Sequence, residues 1–340
     1  MQTPEHGLAG VPPLGSRVVV RHRLAGPDPR TGATLTDVVG ELVRADPRHL
    51  VVRTRRGEVP VALADVTALK EVPPAPSRRG APHLALSVDD LQRVMVGAWP
   101  PTESEHLGGW LLRAADGFTG RANSVLTAGD PGLPLDAALD RVQAWYAARG
   151  LPSAVTVAGP VGLDVTQDPL GALLLARGHL PRVPTRTLTA AVATVVASTA
   201  AAVAAASASS PVECSATLDD DWFAAFSAYR EAPRRAAERV LTGSPDQVLA
   251  CVRDTSGAVV AIGRLGVATA WGGIGAMWVA PTARRRGLAS AVLGTLAHEA
   301  AQRGVRSLHL QTDTDNAPAL AVYRAHGFAP HHDYVTLRRS

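Results

Sequence analysis

Alternating hydrophobic and polar positions in the N-terminal part of the chain predict short β-strands. Val-rich segments with basic ends recur between turn signals such as Asp46-Pro47 and Arg56-Gly57. The predicted strands are residues 17–23, 37–44, 49–55 and 59–63. A run of short strands without a long helix predicts a small all-β module. The Pro-rich stretch 71–82 that follows is typical of a linker.

Helical and strand patterns alternate in the middle of the chain. Apolar spacings of three and four predict helices at residues 88–98, 135–149 and 169–177. Ser87 is a candidate N-cap for the first helix, and Gly150 and Gly178 end the other two. Short apolar runs predict strands at 110–113, 121–126 and 154–158. Because residues 173–181 resemble residues 321–330, we interpret this part as a degenerate repeat of the C-terminal part.

A further strand begins near Leu188, and we expect a loose Ala/Ser-rich segment to follow it as far as Pro211. Beyond this boundary the pattern predicts a longer series of elements. These are helices from Leu218 and at 233–241, strands at 247–253, 258–268 and 274–279, a helix from Gly287, a strand at 307–312, a helix at 318–326 and a strand at 333–337.

The segment 278–296 combines a strand end, a basic loop and a helix start. Pro281 ends the strand, and Arg284, Arg285 and Arg286 precede Gly287. A glycine lets a ligand approach the backbone, and a helix N-terminus offers free N–H groups and partial positive charge. The segment therefore predicts an anion site that suits a phosphate or pyrophosphate.

Composition limits the kind of protein to which this anion site can belong. The 340 residues are 46% hydrophobic and 4% aromatic, which is a globular composition with room for about two or three domains. A net charge of +4 and a pI of about 9.6 make nucleic acid an unlikely partner. Two cysteines, the absence of a signal pattern and an apolar run rich in Ala, Thr and Ser predict a cytoplasmic protein without a membrane span.

Other polar residues are weaker candidates. We expect Arg53, Arg55 and Arg56 to form a solvated basic face of the N-terminal module. We predict no metal site at His331 and His332, because neighbouring side chains on an extended strand point apart. A cleft in the middle part is a further hypothesis, with the candidate residues Trp110, Arg113, Arg121, Asn123 and Ser124.

The C-terminal part resembles the GCN5-related N-acetyltransferase (GNAT) family. The resemblance is carried, in order, by Val279-x-Pro281, Arg284-x-x-Gly287-x-Ala289, Asn316, Tyr323 and Gly327-Phe328. It implies an α/β (α+β) fold whose C-terminal domain has a mixed central sheet. It also implies an acetyl-CoA-dependent N-acetyltransferase that acts on a primary amine by direct attack in a ternary complex.

The resemblance also implies roles for individual residues. The residues assigned to acetyl-CoA are Met277, Trp278, Val279, Arg284, Arg285, Arg286, Gly287, Leu288, Ala289, Ser290 and Asn316. Tyr323 would protonate the departing thiolate. The chain departs from relatives at the base, where Gln311 and Asp313 are the candidates. Strand alternation places both with His309 on one face. Asp313 is the candidate base, either directly or through water. The alternative is that Asp313 is a surface carboxylate and that water bound to Gln311, or no residue, serves as the base.

The whole layout resembles actinobacterial proteins in which a small SH3-like barrel precedes tandem GNAT-like domains. It predicts a barrel at residues 1–76, a degenerate GNAT-like domain at 83–195 and the catalytic domain at 211–340. The amine acceptor is unidentified, no metal is expected, and the protein is expected to be a monomer or a homodimer. The alternative hypothesis is a non-catalytic regulatory protein that senses acyl-CoA or binds nucleic acid.

Overall fold

The computed structural model describes residues 11–27, 32–54, 57–71 and 81–339. The chain folds into two compact units. The first contains the described residues up to Ala75, together with His106–Leu111 and Thr127–Ala138. The second contains the rest of the described chain. Most of the predicted linker, as well as Arg55 and Arg56, lies outside the described residues.

The N-terminal part of the first unit is an antiparallel sheet with the strand order β4-β3-β2-β1-β5. Its strands are β1 (Arg17–Arg23), β2 (Leu35–Ala45), β3 (His49–Thr54), β4 (Gly57–Ala62) and β5 (Val66–Glu71). Val18, Val20, Leu42, Leu50 and Val52 form its buried core. The prediction of a small all-β module is confirmed, although β5 was not predicted because residues 66–71 carry no strict alternation.

Helices and strands alternate along the rest of the chain. The first half contains α1 (Val88–Ala98), β6 (Glu103–Leu107), β7 (Trp110–Ala114), β8 (Val125–Leu126), α2 (Leu135–Ala147), β9 (Ala154–Gly159), α3 (Pro169–Ala176), β10 (Leu180–Pro181) and β11 (Thr185–Ala191). The second contains α4 (Val192–Ser209), β12 (Val212–Ser215), α5 (Asp220–Tyr229), α6 (Arg234–Leu241), β13 (Asp246–Arg253), β14 (Val259–Ala268), β15 (Trp271–Val279), α7 (Leu288–Gln302), β16 (Ser307–Asp313), α8 (Ala317–Ala325) and β17 (Ala329–Arg338).

A mixed sheet runs through the second unit in the order β12-β13-β14-β15-β16-β11-β17-β9-β8. Two pairs in it are parallel, β15 with β16 and β8 with β9, and each pair is connected in sequence through a helix. Strand β11 pairs with β16, and β17 pairs with β9, so each half supplies a strand to the other half's parallel pair. The two halves therefore share one continuous sheet, in agreement with the predicted mixed α/β fold.

Residues 192–209 form helix α4, so the prediction of a loose Ala/Ser segment is wrong. This helix has the length and the hydropathy of a membrane span, with 22% of the segment buried. It packs lengthwise on α7, where a Cβ at Gly294 would lie 2.4 Å from Thr199 Oγ1 and 2.6 Å from Val203 Cγ2. Small residues that look like a linker in sequence thus allow two helix backbones to approach closely.

A side chain at Gly294 is expected to separate these helices. The variant Gly294→Val should lower the free energy of unfolding by about 1–3 kcal/mol, because the packed interface has no space for the added side-chain carbons. Urea unfolding followed by circular dichroism measures the change. The matched control is Ala301→Val on an exposed position of the same helix. Equal stability of the two variants would contradict the close packing of α4 on α7.

Candidate active site

The centre of the site is the point at which β15 and β16 stop pairing. Their parallel register runs from Trp271 opposite Ser307 to Ile274 opposite Leu310. Both strands continue beyond it, β15 to Val279 and β16 to Asp313. The two strands therefore separate, and one edge of β15 is left without its neighbour.

A bulge in β15 accounts for the separation. Arg264 of β14 pairs with Gly275, but Ile262 pairs with Trp278, so two residues of β15 lie opposite Gly263. One of them, Ala276, has a φ of 52°. A Cβ at Gly263 would lie 2.6 Å from Met277 Sδ, so the glycine leaves the space that the displaced methionine occupies. The bulge turns the end of β15 away from β16.

A cavity of about 940 Å³ fills the opening. Both separated strands contribute to its wall, and so do the start and the second turn of α8. The lining residues from these elements are Ile274, Gly275, Ala276, Met277, Gln311, Thr312, Asp313, Asn316, Ala319 and Tyr323. Four of the predicted site residues, Met277, Asp313, Asn316 and Tyr323, therefore surround one space.

Tyr323 and Asn316 lie on the α8 side of the cavity. The Asn316 side chain accepts a hydrogen bond from the Ala319 N–H at 3.3 Å and so caps the helix. Tyr323 is 9% exposed and packs edge-on against Phe328, with ring centroids 5.8 Å apart. Burial raises the pKa of Tyr323 to about 12, so its phenol is protonated at neutral pH.

Asp313 lies at the exposed end of β16. Thr185 Oγ1 donates to its Oδ1 at 3.3 Å. Gln311 and the buried His309 precede it on the same face of the strand, as alternation predicts. His309 is neutral at pH 7, because burial lowers its pKa to about 3. Asp313 is therefore the exposed anion of this row.

The other assigned residues are absent from the described lining of the cavity. Trp278 stacks on Tyr229 at the end of α5, with centroids 6.1 Å apart and planes 11° apart. Arg284 donates from Nε to the Val279 carbonyl at 3.2 Å and holds the loop against the strand end. The predicted pyrophosphate loop is thus a separate feature that begins where β15 ends.

The loop that leads into α7 contains two left-handed residues. Arg285 has a φ of 63° and Gly287, the residue before the helix, has a φ of 79°. Among the described residues, no N-cap side chain accepts a hydrogen bond at this N-terminus, in contrast to α8. The first N–H groups of α7 thus remain available to an anion. Ser290 Oγ lies 2.8 Å from His326 Nε2, which fixes one hydroxyl beside these N–H groups.

The candidate cleft residues of the middle part are only partly brought together: Arg113 bonds Ser124, and it lines a small chamber together with Arg121. Arg121 lines the cavity. Arg113 is buried and donates to the Ser124 carbonyl at 2.8 Å, while the Asn123 amide bonds the backbone of its own loop. Trp110 donates to the Gly129 carbonyl at 3.0 Å. Of this group, only Arg121 belongs to the described lining of the larger cavity.

His331 and His332 depart from the expected geometry. Their Nδ1 atoms lie 2.8 Å apart, so the prediction that the two rings point apart is wrong. The pairing of β11 with β17 skips His331, since Thr187 faces His332 and Leu188 faces Pro330. This bulge turns the His331 ring toward its neighbour. Within the described ranges, no group of three or more His, Cys, Asp or Glu residues is arranged to hold a metal ion.

Sequence reasoning missed Trp99, which lines the cavity, and Arg264, which contacts the Trp99 ring from the protein interior. Arg264 is completely buried and donates to the carbonyls of Leu241 and Ala98 at 2.6 and 2.7 Å. Its guanidinium lies 5.3 Å from the Trp99 ring centroid, and Trp99 lines the cavity. An arginine inside an otherwise apolar strand is the signal that could have identified this contact.

Two family models match successive parts of the chain. A family model described as "Probable histone acetyltransferase Rv0428c C-terminal" matches residues 87–337. A second model, described as "Rv0428c N-terminal Sm-like domain", matches residues 12–70. The resemblance of this module to an SH3-like barrel stays a prediction.

Two curated relatives are similar in sequence. The protein named probable histone acetyltransferase Rv0428c from Mycobacterium tuberculosis is 38% identical over 147 residues, a match that spans 41% of this chain and 43% of that protein. The uncharacterized N-acetyltransferase YobR from Bacillus subtilis is 25% identical over 243 residues, with 71% of this chain and 94% of the relative covered. The chain thus aligns with less than half the length of the mycobacterial relative.

Solved structures show the fold. A GCN5-related N-acetyltransferase from Kribbella flavida superposes with a TM-score of 0.53 at 15% identity, covering 74% of this chain and 95% of that structure. A tandem GNAT protein from the clavulanic acid biosynthesis pathway gives 0.50 at 17% identity, with 63% and 73% covered. Since the Rv0428c C-terminal model also covers more than half of the sequence, the chain belongs to the family that this model describes, and its fold is that of the GCN5-related N-acetyltransferases.

Proposed function

We propose that this protein transfers an acetyl group from acetyl-CoA to a primary amine by direct attack in a ternary complex. The observation that carries the proposal is the cavity at the separated ends of β15 and β16. It places a free strand edge, a protonated phenol and a carboxylate around one space. Such a space allows an acyl donor and an amine to meet without a covalent enzyme intermediate.

The free edge of β15 suits the pantetheine arm of acetyl-CoA. Met277, Trp278 and Val279 continue past the last pair with β16. Their backbone groups on that side can bond an extended amide chain as a neighbouring strand would. The bulge at Ala276 sets the direction of these groups, and we assign the cofactor arm to this edge.

The loop before α7 suits the pyrophosphate. The left-handed Gly287 exposes the uncapped N–H groups of Leu288, Ala289 and Ser290. Arg284, Arg285 and Arg286 supply positive charge around them. We therefore assign acetyl-CoA to the same residues that the family resemblance implies. Asn316, at the start of α8, lies beside the pantetheine arm in this assignment.

The chain's own groups complete the transfer. Bound acetyl-CoA supplies the thioester carbonyl that the amine attacks. Backbone N–H groups of β15 polarise the carbonyl oxygen. Asp313 takes a proton from the amine, directly or through water, as the C–N bond forms. Tyr323 Oη donates a proton to sulfur as the C–S bond breaks, and its buried neutral phenol suits this role.

The remaining assignments extend this proposal. We propose domains at 1–76, 83–195 and 211–340, a cytoplasmic location, and a monomer or homodimer that needs no metal or nucleic acid. A lysine of a histone-like protein is one candidate acceptor, suggested by the name of the mycobacterial relative. The rival proposal is a non-catalytic acyl-CoA sensor or nucleic-acid-binding regulator. Thiol release from acetyl-CoA across a panel of amines distinguishes the two.

Replacement of Gly287 tests the cofactor site. The variant Gly287→Leu should weaken acetyl-CoA binding at least tenfold, because the left-handed turn is strained for a residue with a Cβ. Isothermal titration calorimetry measures the affinity. Gly304→Leu is a matched control, since this glycine ends the same helix with a φ of 72° and also has open space around it. Unchanged affinity in Gly287→Leu would refute the assigned site.

Removal of one hydroxyl tests the general acid. The variant Tyr323→Phe should lower kcat about 10²-fold or more at unchanged acetyl-CoA affinity, because the thiolate would leave without a proton donor. Steady-state thiol release measures kcat. The control is Tyr229→Phe, which removes a phenol from the same cavity and keeps the ring that stacks on Trp278. Full turnover in Tyr323→Phe would remove this role.

A further inference from the structure

The cavity wall carries an excess of positive charge. Arg121, Arg182, Arg230 and Arg338 line it, and Asp313 is the single carboxylate among the described lining residues. Between described residues, none of these four arginines forms an ion pair, although arginines elsewhere in the second unit commonly do. The cavity therefore presents unneutralised guanidinium groups to whatever enters it.

Arg121 is held in a fixed place at this wall. Its guanidinium carbon lies 5.5 Å from the centroid of the Trp99 ring. Arg264 holds the same ring from within the protein, and Trp99 Nε1 donates to Thr119 Oγ1 at 3.1 Å. Arg121 Nε is buried and has no hydrogen-bond acceptor among the described residues. An orphaned donor of this kind costs free energy until a ligand supplies an acceptor.

Gln311 adds a second unsatisfied group close by. Its Oε1 is buried without a donor among the described residues, and its Nε2 contacts Met95 Sδ at 3.3 Å. Both Arg121 and Gln311 also line a small adjoining chamber. The unsatisfied Arg121 donor and the unsatisfied Gln311 acceptor together suit a ligand that has a pair of anionic oxygens and an N–H group.

Charge in the protein interior favours the same kind of ligand. Arg113 and Arg264 are buried, and their described partners are carbonyls and hydroxyls. Burial lowers the pKa of Arg113 to about 10 and that of Arg264 to about 9, so both remain charged at pH 7. An anion beside Arg121 would offset part of this uncompensated charge.

We propose that the acceptor is a small primary amine that also carries a carboxylate, and that Arg121 binds this carboxylate. The planar guanidinium matches two carboxylate oxygens, and the amine then faces Gln311 and Asp313. The exposed apolar side chains of Leu180 and Val183 line the same cavity and suit an apolar group on the acceptor. A lysine-rich peptide brings cations to these arginines and is disfavoured. This proposal rests on the proposed acetyl transfer.

Matched amines test the proposal on the full chain. L-Leucine, L-leucinamide and isopentylamine form one set, and L-phenylalanine, L-phenylalaninamide and phenethylamine form another. Thiol release from acetyl-CoA should show a kcat/KM at least tenfold higher for the carboxylate member of a set. Arg121→Gln should abolish this preference by raising KM for the acid at unchanged acetyl-CoA affinity. Arg306→Gln, at an exposed position outside the cavity lining, is the control and should keep the preference.

The outcomes separate this proposal from the proposed function. Acetyl transfer without preference for the acid, preference for a lysine-rich peptide, or loss of acetyl-CoA affinity in Arg121→Gln would overturn the carboxylate site and leave the transferase intact. If no amine releases thiol, binding of the same six amines with CoA present is measured by thermal shift. If the acids bind the wild-type protein but not Arg121→Gln, the carboxylate site is supported even though the proposed acetyl transfer has failed. Equal binding of acids and amides overturns the site.

Discussion

The end of one hydrogen-bond ladder determines the arrangement of the site. Beyond Ile274 and Leu310, the strands β15 and β16 have no common register, because the bulge opposite Gly263 turns β15 away. A continuous ladder here would leave no free strand edge and no space of about 940 Å³. The free edge of β15, the α8 wall with Tyr323 and the position of Asp313 beside the cavity all depend on this separation. Packing of Met277 into the space above Gly263 maintains it.

The exchange of strands between the two halves makes the middle part a structural component of the shared sheet. Strand β11 lies between β16 and β17, and β17 joins it to β9. The middle part therefore supplies one wall of the cavity, with Trp99, Arg121 and Leu180 among its residues, while β15, β16 and α8 supply the other. We interpret the first wall as the acceptor side and the second as the cofactor side.

The assignment of Met277, Asp313, Asn316 and Tyr323 to one site came from the resemblance to the GNAT family, whereas local patterns in the sequence predicted most of the elements. They did not predict helix α4, since Ala, Ser and Thr residues carry no amphipathic period and the helix is stabilised by its contact with Gly294. They also did not predict the place of β11, because pairing between distant strands leaves no trace in local alternation. The His331 ring was misplaced for a related reason, since a bulge breaks the two-residue period that the prediction assumed.

The positive charge of the buried Arg264 influences the cavity of the second unit. Burying Arg264 costs free energy, and three hydrogen bonds to neutral oxygens offset only part of that cost. These bonds join the ends of α1 and α6 to β14 and hold Trp99 in position. A buried carboxylate partner would neutralise the arginine, but it would also remove the positive potential that reaches Arg121. An interior that retains this charge favours binding of an anion over maximal stability. The four arginines of the cavity wall, which form no ion pair with another described residue, extend the same positive potential toward the solvent.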